Sequence, residues 1–181
     1  MTYLRTLRSA GLVLLGAVAL IAAVALAFAP IPWRSFGAAS YVGLFIANLL
    51  SGIIAFAPSP AQGLIISAAR VLNPIVVAIV SGTGWAIGEL STYFVGKTLP
   101  TDLGRVFNWL LRPANWIVGH PRASHILIYL ACIAPLPLFD VVSIVAGQRG
   151  ISLRRYLAPV VLARLTRAAI YAGIGAHLKL R

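Results

Sequence analysis

Negative charge is what this chain of 181 residues nearly lacks: Glu89, Asp102 and Asp140 are its three acids, against fifteen lysines and arginines. It has one cysteine, Cys132, so neither a disulfide nor a thiolate metal site can be built within the chain. Its three histidines, His120, His125 and His177, show no metal-ligand spacing. No serine, cysteine or histidine constellation suggests a hydrolase, so the expectation is a protein that is not an enzyme and carries no cofactor or metal. What is there instead is apolar: 60% of residues are hydrophobic and 10% charged, in runs too long and too frequent for a soluble core of this size. The composition predicts an all-α, polytopic membrane protein. The net charge of +12 does not imply nucleic acid, because the basic residues form short clusters between apolar segments, where anionic lipid headgroups supply the counter-charge.

The apolar segments organise the chain. Residues 11–29 form a 19-residue run behind Arg5 and Arg8. At the helical rise it reaches about 28 Å, close to the bilayer core and longer than the apolar region of a signal peptide, so a retained N-terminal helix (1–34) is expected. Residues 38–57 are apolar, then come Pro58 and Pro60, then a short apolar piece from 61 to 69. Residues 74–96 form a full-length segment. The stretch 97–122, with Asp102, Trp109 and Trp116 among basic residues, reads as a cytoplasmic interfacial segment. Residues 123–134 and 138–147 are apolar on either side of Pro135 and Pro137, and the last apolar segment runs from 156 to 176.

The phrases APSP (57–60) and APLP (134–137) are nearly identical and lie 77 residues apart. Each half of the second interrupted unit reaches only about 18 Å, too short to cross. A single proline-kinked span would place one of the flanking arginine clusters, Arg105/Arg112/Arg122 or Arg149/Arg154/Arg155, outside. A re-entrant hairpin keeps both inside, as the positive-inside bias prefers. The same reading of APSP gives a hairpin entered from the other face. Nine basic residues then lie on the cytoplasmic side together with the N-terminus, and Arg34, Arg70, Lys179 and Arg181 lie outside. One crossing separates the hairpins, so the expected architecture is two inverted repeats, 38–97 and 123–176, whose broken helices meet near the midplane. The tips would hold Pro58, Pro60 and Gln62 in the first repeat, and Pro135, Pro137 and Phe139 in the second.

Glu89 and Asp140 fall within apolar segments, as do Arg164 and Arg167, which with Tyr171 follow i, i+3, i+7 spacing on one helix face. A central charge costs about 2.5 to 3.5 kcal/mol, so the four need pairing or water. One reading is a structural ion pair between Glu89 and an arginine. The other is a polar cavity in which forked guanidinium donors hold a lipid phosphate and a carboxylate takes up a proton. Both can hold at once. Gly82, Gly84 and Gly88 imitate a phosphate loop, but in a membrane helix they predict close packing.

GELSTYFVGK, with Gly88, Glu89, Tyr93, Gly96 and Lys97, and PLPLFDVVSIVAG, with Pro137, Phe139, Asp140 and Gly147 ahead of Arg164, resemble the DedA family. Its members are also called VTT or SNARE-associated membrane proteins. The resemblance covers roughly residues 40–176, and the second motif is closest to the vacuole-membrane-protein branch. It implies two facing re-entrant hairpins and a lipid-moving activity: scrambling in some eukaryotic members, proton-dependent translocation of undecaprenyl phosphate or phospholipid in bacterial ones. Many bacterial members carry a glutamate after the first hairpin's proline and an arginine after the second's, where this chain has Gln62, and Phe139 with Asp140. Loss of the first acid weighs against proton coupling and fits passive scrambling.

The expectation is therefore a bacterial inner-membrane protein that translocates a phospholipid or polyprenyl phosphate between leaflets, as scramblase or proton-dependent flippase. Glu89 and Asp140 would line the cavity, and Arg164, Arg167, Tyr93 and Tyr171 would bind the phosphate. Two other readings stay open, a proton-coupled small-solute or ion antiporter and a non-transporting membrane interaction protein. The oligomeric state is open too, with a homo-oligomer among the alternatives.

Overall fold

The computed structural model describes residues 17–53, 60–99, 116, 120, 124–133 and 138–179; the side chains of residues 124, 138–140 and 179 lie outside this description. The hairpin-tip residues Pro58, Pro135 and Pro137 also lie outside it, as does most of the segment 97–122. Among the described residues every regular element is a helix: α1 (Ala17–Phe28), α2 (Ala39–Ile53), α3 (Ala61–Ala69), α4 (Pro74–Gly88), α5 (Leu90–Thr98), α6 (Ser124–Ile133), α7 (Leu138–Gln148) and α8 (Leu153–Lys179).

Two helical stretches are long and apolar enough to cross a membrane, Pro74–Thr98 with 25 residues and Leu153–Leu178 with 26. Each spans about 38 Å, more than the roughly 30 Å of bilayer hydrocarbon. The first is made of α4 and α5. Asn73 starts it by accepting the backbone N–H groups of Ile75 (3.0 Å) and Val76 (3.4 Å), with Pro74 at the first helical position, where a missing N–H costs nothing. The junction at Glu89 barely interrupts the helix: its N–H still reaches the Trp85 carbonyl at 3.1 Å, and its carbonyl accepts from Thr92 and Tyr93. The expected apolar segment 156–176 sits inside the longer α8, whose helical turns begin before the apolar run and include Arg154 and Arg155.

Glycine sets how closely the helices approach. A Cβ on Gly84 would strike the Phe45 carbonyl, and one on Gly88 the Leu49 carbonyl and Gly52, so α2 and α4 run side by side in the same direction. Gly82 faces the opposite way, onto the backbone of Leu165 and Arg164 in α8. The three glycines are packing surfaces on two faces of α4. Two further seams answer each other: Gly175 of α8 abuts Ile66 and Ala69 of α3, while Gly96 of α5 abuts Ile144 of α7 and Gly147 abuts Tyr93. A short helix from each half of the chain thus packs on the long helix of the other half.

Residues just before α2 are tied to the end of α3. Trp33 Nε1 donates to Ser67 Oγ at 3.0 Å, and Arg34 Nε to the Val71 carbonyl at 3.3 Å. The start of α2 and the end of α3 therefore lie together, with residues 54–59 between the two helices. The core divides into two clusters. One gathers Trp33, Leu44, Ile65, Val77 and Ala168, the other Tyr93, Ile128, Val142, Tyr156 and Val160. The outward faces are apolar, with Val42, Ile46, Leu50, Ile75, Ile79, Leu162 and Ile170 all exposed, a surface that suits hydrocarbon and not water.

Candidate functional site

Glu89 and Arg164 form an ion pair through Oε1 and Nη2, with both side chains 3% exposed. Arg164 is the twelfth residue of the span 153–178, so it lies about 2 Å from the centre of that helix, and Glu89 lies about 4 to 5 Å from the centre of its own. Two further contacts fix the guanidinium. Nη1 donates to the Cys132 carbonyl at 3.4 Å, and its carbon stands 4.4 Å from the centre of the Trp85 ring. The close approach that allows this comes from Gly82, which brings α4 against the backbone of Arg164 itself.

Arg167 lies one turn further along α8 and is only half-buried. Its guanidinium covers the same Trp85 ring at 5.1 Å and the Tyr171 ring at 5.8 Å, and its Nε donates to the Tyr171 hydroxyl at 3.2 Å. It has no carboxylate partner among the described residues. One buried carboxylate therefore neutralises one of two adjacent arginines, and the second is held by aromatic faces with its terminal nitrogens free of acidic partners.

The other residues expected at the site are distributed as follows. Tyr93 is fully buried and belongs to a different core cluster from Tyr171; its hydroxyl donates to the Ile151 carbonyl at 2.5 Å, and its ring stacks on Tyr156 at 4.8 Å. The two tyrosines are not brought together. Gln62 is half-buried in the first turn of α3, and Pro60 precedes that helix. Asp140 and Phe139 fall within α7, but their side chains lie outside the described residues.

Sequence reasoning passed over Trp85, although its signal was present: it sits four residues before Glu89, on the same helix face. It also passed over Asn48, Ser81 and the pair Tyr156–Ser143. The Tyr156 hydroxyl donates to Ser143 Oγ at 2.8 Å inside the core. Asn48 Oδ1 and Ser81 Oγ are buried and meet no protein partner among the described residues, positions where ordered water is the usual solution. Among the described residues no cluster of histidine, cysteine or acidic side chains could hold a metal.

Comparison with known proteins bears on this arrangement. The VTT domain family model matches residues 59–177, which include α3 to α8 up to His177 and therefore Glu89, Arg164 and Arg167. Neither the curated proteins nor the solved structures give a match. A match over 119 of 181 residues, on a helical chain with two apolar spans and an ion pair at mid-span, places the molecule: it belongs to the VTT-domain family, that of the DedA membrane proteins.

Proposed function

We propose that this protein moves a phospholipid or lipid-linked phosphate between membrane leaflets, and that Arg167 is the cation that receives the phosphate. The supporting observation is the inequality of the two arginines. Arg164 is committed to Glu89, whereas Arg167, near mid-span, keeps its forked donors available and is oriented by Trp85 and Tyr171. An arginine at that depth with no carboxylate partner among the described residues is expensive unless an anion or water reaches it. A guanidinium can grip a phosphate by two parallel bonds, a geometry that an ammonium cannot reproduce. The activity is transport, not catalysis, and Asp140 remains a candidate second carboxylate of the cavity.

On this reading residues 38–97 and 123–176 are inverted repeats, each with a re-entrant hairpin, in a bacterial inner membrane with the N-terminus cytoplasmic. The reciprocal seams of α3 on α8 and α7 on α5 support the repeat, and the contacts of Trp33 and Arg34 with the end of α3 support the first hairpin. Single cysteines at Arg122 and Arg149, in a background without Cys132, are expected to label from the same membrane face. Labelling from opposite faces would replace the second hairpin by a kinked span.

The functional test is leaflet exchange of fluorescent phospholipid in liposomes, with and without a pH gradient. Arg167→Lys, which keeps the charge and loses the fork, is expected to slow exchange about tenfold, the order of one lost charge-assisted hydrogen bond. Arg167→Leu is expected to abolish it while leaving thermal stability within about 1 kcal/mol, because Glu89, the one acidic side chain among the described residues, keeps Arg164. Full exchange by the leucine variant would end the phosphate-binding role and favour a non-transporting membrane interaction protein. A response confined to the pH gradient would indicate proton coupling.

A further inference from the structure

The outer face of α8 carries a furrow that the ion pair and Arg167 leave unused. Arg154, Leu157, Ala158, Val161, Leu162 and Leu165 line this shallow, open depression, a volume of about 600 Å³. Counted from Arg154 these residues fall at 3, 4, 7, 8 and 11 positions along the helix, one continuous stripe. Ala158 provides the hollow between larger neighbours, and Leu162 is 58% exposed, so the furrow opens away from the bundle.

The furrow has a polar end and a length. Arg154 stands in the first turn of α8, and Leu165 lies at the centre of the span. Eleven residues of helix rise about 16 Å, close to one leaflet of hydrocarbon, half of roughly 30 Å. At the Arg154 end Lys97, Arg149 and Arg155 are also exposed, brought there by the packing of α7 on α5. Glu89, the one acidic side chain among the described residues, is buried with Arg164 and neutralises none of them.

We propose that this furrow is a binding site for an anionic glycerophospholipid, with the phosphate on Arg154 and one acyl chain lying over Leu157, Val161 and Leu165. A zwitterionic lipid offers the same phosphate and the same chain, but adds a cation to a headgroup region that is already basic. Preference for the anionic lipid follows from that difference. The site requires only that α8 face the bilayer, and it is independent of whether Arg167 carries a phosphate across.

The test uses the full chain in phosphatidylcholine vesicles doped with phosphatidylglycerol carrying a diazirine on its acyl chain, or with phosphatidylcholine tagged in the same way. Adducts are mapped by mass spectrometry. Adducts are expected to concentrate between residues 157 and 165, about fivefold more abundant with phosphatidylglycerol, the discrimination one arginine near a headgroup supplies. Arg154→Gln, a surface change, should lower the adducts of both lipids, which share the phosphate, with leaflet exchange unchanged. Ala158→Trp, checked for normal thermal unfolding, should fill the hollow and clear the adducts. Equal labelling by both lipids in the unaltered protein would overturn the proposal, as would adducts no denser there than at Ile46 or Ile170. Absence of labelling, from coverage by residues 100–122 or by a second copy, would overturn it as well. None of these results bears on the Arg167 variants, whose readout is exchange.

Discussion

Arg164→Leu is expected to destabilise the protein by about 3 to 5 kcal/mol, the usual cost of removing one member of a buried ion pair. The pair is 3% exposed on both sides, so neither charge has water to fall back on. Glu89 would lose its arginine, and the insertion cost of a central acid, about 2.5 to 3.5 kcal/mol, gives an independent figure of the same size. The Cys132 carbonyl would also lose its guanidinium donor, and the Trp85 ring its nearer cation. A double variant, Arg164→Leu with Glu89→Leu, should recover most of the loss, because two apolar side chains replace two charges that had to be desolvated. Unfolding measured in detergent on both single variants and the double completes the cycle. If Arg164→Leu unfolds within about 1 kcal/mol of the unaltered protein, Glu89 does not depend on it and the ion pair is not what holds α4 to α8.

Gly88→Leu is expected to cost about 3 kcal/mol, the upper part of the usual overpacking range, because the obstruction is backbone and not a movable side chain. A Cβ at Gly88 would overlap the Leu49 carbonyl and stand 2.9 Å from the Gly52 Cα. Helix α2 would have to leave α4 beside Glu89, so lipid exchange should fall together with stability. Gly43→Ala and Gly173→Ala are the matched controls: both positions lie within helices, and a Cβ there meets nothing within 4 Å. They should leave stability unchanged or raise it by up to about 1 kcal/mol, the helix preference of alanine over glycine. Thermal unfolding of the three variants checks the contrast. A Gly88 variant as stable as the controls would mean that α2 is not seated on α4 as described.

Which segments are helical was readable in the sequence, because apolar run length and proline punctuation are local properties. The short piece 61–69 is α3, and the full-length segment from 74 is the continuous helix α4–α5. The packing role of Gly82, Gly84 and Gly88 was also readable, since a side chain's absence acts at its own position whatever its neighbour. The cost of Glu89, Arg164 and Arg167 in an apolar setting required that they find partners. It could not say which arginine takes Glu89, because i, i+3 spacing puts both on one face and leaves them equivalent in one dimension. The crossing of α4 and α8 at Gly82 and Leu165 decides it, bringing Arg164 to Glu89 and leaving Arg167 to Trp85 and Tyr171. Tyr93 and Tyr171, equivalent under the repeat spacing, go to different core clusters for the same reason. Periodicity fixes the face of a helix that a residue occupies, and only the approach of a second helix fixes what that face meets.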